Sequence, residues 1–211
     1  MPERSEDIEQ LLTQISQKQP DIVEFRLDKL NDLNAIEMIA RKKMIPAIAT
    51  DRAVRGPDTG KKLLLAAASS GFEYVDVDVL STNAKDIVRT CSANGAKVIV
   101  SSHNLSATPS ESELGKTLSS VKQMGADICK IVTTATHPHD NLKILNFVED
   151  MSAETKIVSF AMGQLGIPSR ILCPMFGAEF TFAAFRQESR TAEGQLSIDD
   201  LRSVWQLLGI Q

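Results

Sequence analysis

The feature that most restricts how this chain can fold is a regular alternation of two apolar periods. Runs rich in β-branched and apolar residues recur along its whole length: DIVEFR, MIPAIAT, YVDVDV, KVIVSS, ICKIVTT, KIVSFA and AEFTFAAF, seven in all. Between them lie segments with helical spacing, among them AIEMIARK, KKLLLAAASS, NAKDIVRTCSAN, ESELGKTLSSVKQM and DNLKILNFVEDM, and SIDDLRSVWQLLG follows the last run. Successive runs start roughly 20 to 30 residues apart, room for a right-handed βα crossover at each step and therefore for a parallel sheet covered by helices. No linker or shift of composition breaks the series, so one domain over residues 1–211 is expected.

An open doubly wound sheet and a closed barrel both satisfy this pattern, and two observations favour the barrel. Neither G-x-G-x-x-G nor G-x-x-x-x-G-K-[ST] occurs, so the phosphate loops that mark nucleotide-binding open sheets are missing. Polar residues also gather where the apolar runs end: Arg26, Arg52, His103, Lys130 and the MGQLG turn. A (β/α)8 TIM barrel builds its active site at that face, where the strand-to-helix loops converge.

Composition excludes several classes of function. Of 211 residues, 43% are apolar and 24% charged, enough for a substantial core. The net charge is −4 and no Lys/Arg block stands out, so nucleic acid is not expected as a partner. The cysteines Cys91, Cys129 and Cys173 are odd in number and follow no metal-ligand spacing, which predicts reduced thiols and no metal. MPERSEDIEQ is charged from its start, and nowhere do ~18 apolar residues run together. Neither a signal peptide nor a membrane span is expected, and the reading is a soluble, cytoplasmic protein.

One lysine stands out. Lys130, in ADICKIVTTA, lies between Ile128 and Val132 on the side-chain face that the three share in a strand. In a barrel it points inward while Cys129 and Ile131 face the helices. Burying an ammonium disfavours its charged form, and a neutral amine is a nucleophile whose natural electrophile is a ketone or aldehyde. The alternative is a strand-end lysine that reaches water or pairs with a carboxylate. His103, at the end of the preceding run, could shuttle the protons that imine chemistry requires, or could be a hydrogen-bonded structural residue. His137 and His139, in THPHD, read as a helix entry. Arg26, Arg52 and Arg170, gathered at one barrel mouth, call for a substrate carboxylate or a network of fixed acids. Glu24 shares a strand face with Arg26 and is its expected partner. Asp76 and Asp78 share a face of VDVDV; they either line the interior near Lys130 or pair with the arginines.

These fragments together resemble the type I 3-dehydroquinate dehydratases, from about Asp21 to Leu201. EFRLD resembles that family's Glu-Trp-Arg-x-Asp strand, DVDV followed by VIVSSHN its histidine signature, and KIVTTA its lysine strand. MGQLGIPSR resembles its Met-Gly-x-x-Gly-x-x-Ser-Arg turn and TAEGQL its Ser-Ala-Pro-Gly-Gln lid. The resemblance implies that Lys130 forms an imine with the C3 ketone of 3-dehydroquinate and that His103 is the general acid and base. Glu24, Arg26, Arg52, Arg170, Thr191 and Gln195 are implied as substrate-binding residues. The implied reaction loses the C1 hydroxyl as water to give 3-dehydroshikimate, a step of aromatic amino acid biosynthesis, with no cofactor and with a homodimer as the assembly.

Three positions depart from the family pattern. Gly56 stands where a glutamate is expected, Glu193 replaces the lid proline, and Ser102 fills a position usually held by Asn, His or Tyr. The rival readings are another Schiff-base barrel lyase or aldolase and a catalytically silent barrel. The family also begins with a short apolar strand, whereas here a helix over Ser5–Lys18 already follows the first four residues, with Ser5 as its candidate N-cap and Ile8, Leu11, Leu12 and Ile15 along one face. The expectation is a barrel of seven full strands with its first strand missing or truncated, a seam between DIVEFR and AEFTFAAF, and Met1 as an internal methionine.

Overall fold

The computed structural model describes residues 5–30, 33–52 and 57–210. Six parallel strands lie in chain order: β1 (Val23–Arg26), β2 (Ala47–Thr50), β3 (Tyr74–Asp78), β4 (Lys97–His103), β5 (Ile128–Thr134) and β6 (Ile157–Met162). Helix α1 (Ser5–Lys18) precedes β1. Helices α2 (Leu33–Lys42), α3 (Pro57–Ser70), α4 (Ala84–Ala93), α5 (Glu111–Lys122) and α6 (Asp140–Ser152) fill the crossovers, and α7 (Ile167–Leu172) and α8 (Ile198–Leu208) follow β6. The α/β reading is therefore correct, and the helix over Ser5–Lys18 has the expected bounds, with Ile8, Leu12 and Ile15 buried. Met1–Arg4, on which the expectation of a lost first strand rests, lie outside the described residues, as does Gly56.

Strands β2, β5 and β6 are buried on both faces, which is why they read as near-continuous apolar runs rather than as polar–apolar alternation. All four residues of β2 are buried, and in β5 only Thr134 is not.

The chain divides into two compact units, residues 1–101 with 121–127 and residues 102–120 with 128–211. In the first, the parallel register sets Arg26 beside Thr50, Thr50 beside Asp76 and Asp78 beside Ser101. Its core holds Leu27, Ile36, Ile39, Ile48, Val75, Val77 and Ile87, with Phe25 and Phe72 in edge contact at 6.1 Å. In the second unit Lys130 is paired with Val158 and Val132 with Phe160, while α6 buries Ile144, Leu145, Phe147 and Val148.

The seventh run departs from expectation. Among the described residues AEFTFAAF is not a strand; Glu179 N–H donates to Ile157 O at 2.9 Å, but no ladder follows. Its polar groups are committed elsewhere. Arg170 Nη1 donates to Phe182 O (3.4 Å), Thr181 Oγ1 donates to Arg170 O (2.7 Å), and Ala184 exchanges backbone bonds with Leu196 and Ile198 (2.8 and 2.9 Å). The side-chain alternation survives without the ladder, since Phe180 and Phe182 still meet at 5.5 Å.

Candidate active site

Within the second unit, β5 carries Lys130 with 3% of its surface exposed. Its Nζ lies 4.2 Å from the ring centroid of Phe182. Cys129 points the other way, with Sγ 3.9 Å from Thr155 Oγ1, as a period of two requires. The amine is thus held against an aromatic face and away from bulk solvent.

The same aromatic cluster holds Arg170. Its guanidinium stacks over Phe160 at 4.2 Å, and Phe160 and Phe182 are 6.1 Å apart. Arg170 is 2% exposed, and apart from the long bond from Nη1 to Phe182 O, its Nε and Nη2 are buried with no hydrogen-bond partner among the described residues. Burial pushes its pKa down to about 10, a shift that the neighbouring Cys173 only partly opposes. Buried donors are nearly always satisfied, and a desolvated guanidinium with two open donors is the arrangement that an incoming carboxylate completes.

Local sequence explains how Arg170 reaches this position. The MGQLG turn runs into α7 through Gly166, where a Cβ would meet Ala161 O at 2.5 Å, so a larger residue has no room. Pro168 then fits the first turn of the helix, where its missing N–H leaves no bond unmade.

His103 ends β4 and is half-buried. The following residue ties this strand end to β5: Asn104 N–H donates to Val132 O (2.8 Å), and Thr134 Oγ1 donates to Asn104 O (3.0 Å). Asn104 Oδ1 accepts from Ser106 N–H and Ala107 N–H at 3.0 and 3.1 Å, a local turn that stops the strand there. His103 therefore stands at the end of the strand that these bonds tie to the one carrying Lys130.

The lid segment closes on itself. Thr191 N–H (2.9 Å) and Oγ1–H (3.2 Å) both donate to Gln195 Oε1, which assigns the amide so that Nε2 is its donor side. Gly163 N–H donates to Glu193 O (3.2 Å), and Gly194, at φ +73°, lies so close that a Cβ would meet Gly163 O at 2.2 Å. Only glycine suits that position.

The remaining expected residues lie in the first unit. Arg26 forms a two-pronged pair with Asp28, Nε to Oδ1 at 2.8 Å and Nη2 to Oδ2 at 2.7 Å, which raises the guanidinium pKa above its ordinary value. Asp28, rather than the expected Glu24, is its hydrogen-bond partner. The chain leaves β1 in a tight turn over Leu27–Lys29 that swings Asp28 back toward the arginine, while Glu24 accepts from Thr50 Oγ1 at 2.8 Å. Arg52 donates to Asp78 Oδ2 (3.3 Å) and Ser101 Oγ (3.1 Å) and lies 3.7 Å from Asp76 Oδ2; Ser101 Oγ donates to Asp76 Oδ1 at 2.5 Å. Of the two readings of VDVDV, pairing with an arginine holds. Phe160, Phe182 and Asp28 escaped sequence reasoning. Only Phe182 left a signal, its two-residue spacing from Phe180.

The family model described as type I 3-dehydroquinase matches residues 1–211. A 3-dehydroquinate dehydratase of Dehalococcoides mccartyi is 36% identical over 143 residues, 68% of this chain and 64% of that protein. One from Methanosarcina acetivorans is 31% identical over 212 residues, 92% of this chain and 87% of that protein. The chain spans less than two thirds of the length of the Dehalococcoides relatives it matches. Among solved structures, the 3-dehydroquinate dehydratase from Geobacillus kaustophilus HTA426 superposes with a TM-score of 0.87 at 26% identity, covering 99% of this chain and 88% of that one.

Proposed function

Because the chain belongs to the type I 3-dehydroquinase family, we propose that it dehydrates 3-dehydroquinate to 3-dehydroshikimate through an imine on Lys130. The observation that carries this reading is the shared aromatic cluster: a buried lysine amine over Phe182, and beside it a buried guanidinium with two unpartnered donors. An amine and an anion receptor in one apolar setting suit a small ketone that also bears a carboxylate.

Lys130 Nζ adds to the C3 carbonyl, and the carbinolamine loses water to give a protonated imine. That imine is an electron sink, so the adjacent C2–H becomes acidic and His103 removes its proton. The electron pair forms the C1–C2 double bond as the C1 hydroxyl leaves, taking the proton from the imidazolium as water. Hydrolysis of the imine takes up one water, offsetting the one released from the carbinolamine, frees Lys130 and releases the enone, so the net loss is the single water from C1. Arg170 holds the ring carboxylate and so fixes which C2 proton faces the imidazole.

Thr191 and Gln195 also bind the substrate, as do Glu24, Arg26 and Arg52. No cofactor or metal takes part. The enzyme works in the shikimate pathway, in the cytoplasm, as a homodimer, and sedimentation velocity would separate dimer from monomer.

Turnover is read as ultraviolet absorbance of the conjugated enone. Borohydride added together with 3-dehydroquinate should inactivate the protein and leave a ligand-sized mass adduct on the peptide holding Lys130. An adduct on a different lysine, or full activity with Lys130 replaced by alanine, would overturn the mechanism.

A further inference from the structure

Arg170 is aimed by α7, a helix of six residues. So short an element has almost no intrahelical bonds to hold it, and its first N–H groups must find partners outside. Ser169, fully buried and next to Arg170, supplies the anchorage. Its Oγ accepts from Ala161 N–H (3.0 Å) and donates to Gly166 O (2.9 Å), and its own N–H donates to Asn141 Oδ1 (2.9 Å).

Asn141 lies in the first turn of α6 and is 5% exposed. Its Nδ2 donates to Pro138 O (2.9 Å) and to Leu165 O (2.7 Å). One side-chain amide thus ties together the β5–α6 loop, the MGQLG turn and α7. Its orientation is fixed, because only Oδ1 can accept from Ser169 N–H and only Nδ2 can donate to the two carbonyls. The other restraints on Arg170 are weaker or lie further along the chain: the Thr181 hydroxyl and the Cys173 thiol on its carbonyl oxygen, the long bond from Nη1 to Phe182 O, and the stack on Phe160. None of them fixes the start of α7.

We infer that Asn141 is a positioning residue for Arg170, setting the angle at which the guanidinium meets an anion and so the preference of the site for a carboxylate over a neutral substituent. The inference rests on the reading that Arg170 receives the substrate's carboxylate. Without the amide, Ser169 N–H is left unpaired in a buried place and Leu165 O loses its bond, while Pro138 O keeps only the backbone N–H of residue 141 at 3.2 Å, and α7 must shift to give Ser169 a new partner. A displacement of about 1 Å at such a group costs up to roughly 10²-fold.

The test compares 3-dehydroquinate with its neutral carboxamide analogue, used as a competitive inhibitor, in three proteins. In the unsubstituted protein the acid is preferred. In Asn141→Leu, which fills the volume without the bonds, KM for the acid should rise roughly 10- to 100-fold. Its kcat should change by only a few-fold and the inhibition constant of the carboxamide should hold. Arg170→Met, with Asn141 intact, separates the two readings. If it leaves the acid preference unchanged, the carboxylate role of Arg170 fails; if it abolishes the preference while Asn141→Leu retains it, the positioning inference fails. Equal weakening of acid and carboxamide in Asn141→Leu, or a loss confined to kcat, would mark Asn141 as structural and overturn the inference. Should that variant not fold, the isosteric Asn141→Asp carries the test. It removes both Nδ2 bonds but keeps an acceptor for Ser169, so it should show a smaller rise in KM for the acid alone, and an unchanged ratio would refute the role.

Discussion

Replacing Arg170 with methionine should make the unliganded protein more stable while impairing its binding of substrate. At neutral pH the charge of Arg170 is held in a site that lowers its pKa from the ordinary arginine range to about 10. At 1.36 kcal/mol per pKa unit, that charge costs the fold about 3 kcal/mol. Methionine removes the cost but forfeits the stack on Phe160, about 0.5–2 kcal/mol, part of which a sulfur–ring contact restores. It also gives up the bond from Nη1 to Phe182 O, which at 3.4 Å is long and weak. The balance is a gain of about 1–2 kcal/mol, or roughly 2–8 °C in Tm for a chain of this size.

Thermal melts between pH 6 and 9 read this directly. The pKa of a base is depressed here, so the penalty is present in full below about 10 and disappears only above the ordinary arginine value. The gain in Arg170→Met should therefore be constant across the range. Added 3-dehydroquinate should raise the Tm of the unsubstituted protein and leave the variant nearly unmoved. A variant that melts several degrees lower would refute the reasoning, since it would mean that the guanidinium is satisfied in the fold and is not held open for an anion. The trade of stability for binding is a familiar property of active sites.

His103→Ala should still accept the borohydride-trapped adduct on Lys130 while turnover of 3-dehydroquinate falls by roughly 10²–10⁴-fold; near-normal turnover would make His103 structural. Gly166→Ala places a Cβ 2.5 Å from Ala161 O, and chemical denaturation should show a loss of about 1–3 kcal/mol. For Asp140, burial opposes the charge, but bonds from Lys143 and from the Thr136 and His137 N–H groups outweigh it and hold the carboxyl at about 2. Its stabilisation is complete above the ordinary carboxyl value and lost as pH falls through about 2. Asp140→Asn should accordingly lose about 1–3 kcal/mol at pH 7 and draw level with the parent at the acid end of a pH-dependent denaturation series.

Which parts of this site could be read from sequence follows from what a local pattern encodes. Burial recurs about every 3.6 residues in a helix and is nearly unbroken in a strand covered on both faces, so α1 and the strands were visible as runs, and Lys130 was visible as a charge that violates one. AEFTFAAF carries the same alternation, yet a strand needs a partner backbone, and its carbonyl and amide groups are taken by Arg170 and by residues 196–198. The Arg26–Asp28 pair was hidden for a related reason: a shared strand face pointed to Glu24, whereas a tight turn after Arg26 decided the matter. Asn141 breaks no pattern and left no signal at all, because its three bonds join segments 3 to 28 residues distant. The arginines give the sharpest contrast. Sequence left two fates open for charges at strand ends, an internal network or a waiting anion site, and the chain contains both. Arg52 is matched by Asp76, Asp78 and Ser101, whereas Arg170 lies on an aromatic ring with Nε and Nη2 unpartnered among the described residues. An arginine codon reads the same in both places, and what separates an arginine whose charge is already matched from one held open for an anion is whether the fold supplies the counter-charge or leaves that to the ligand.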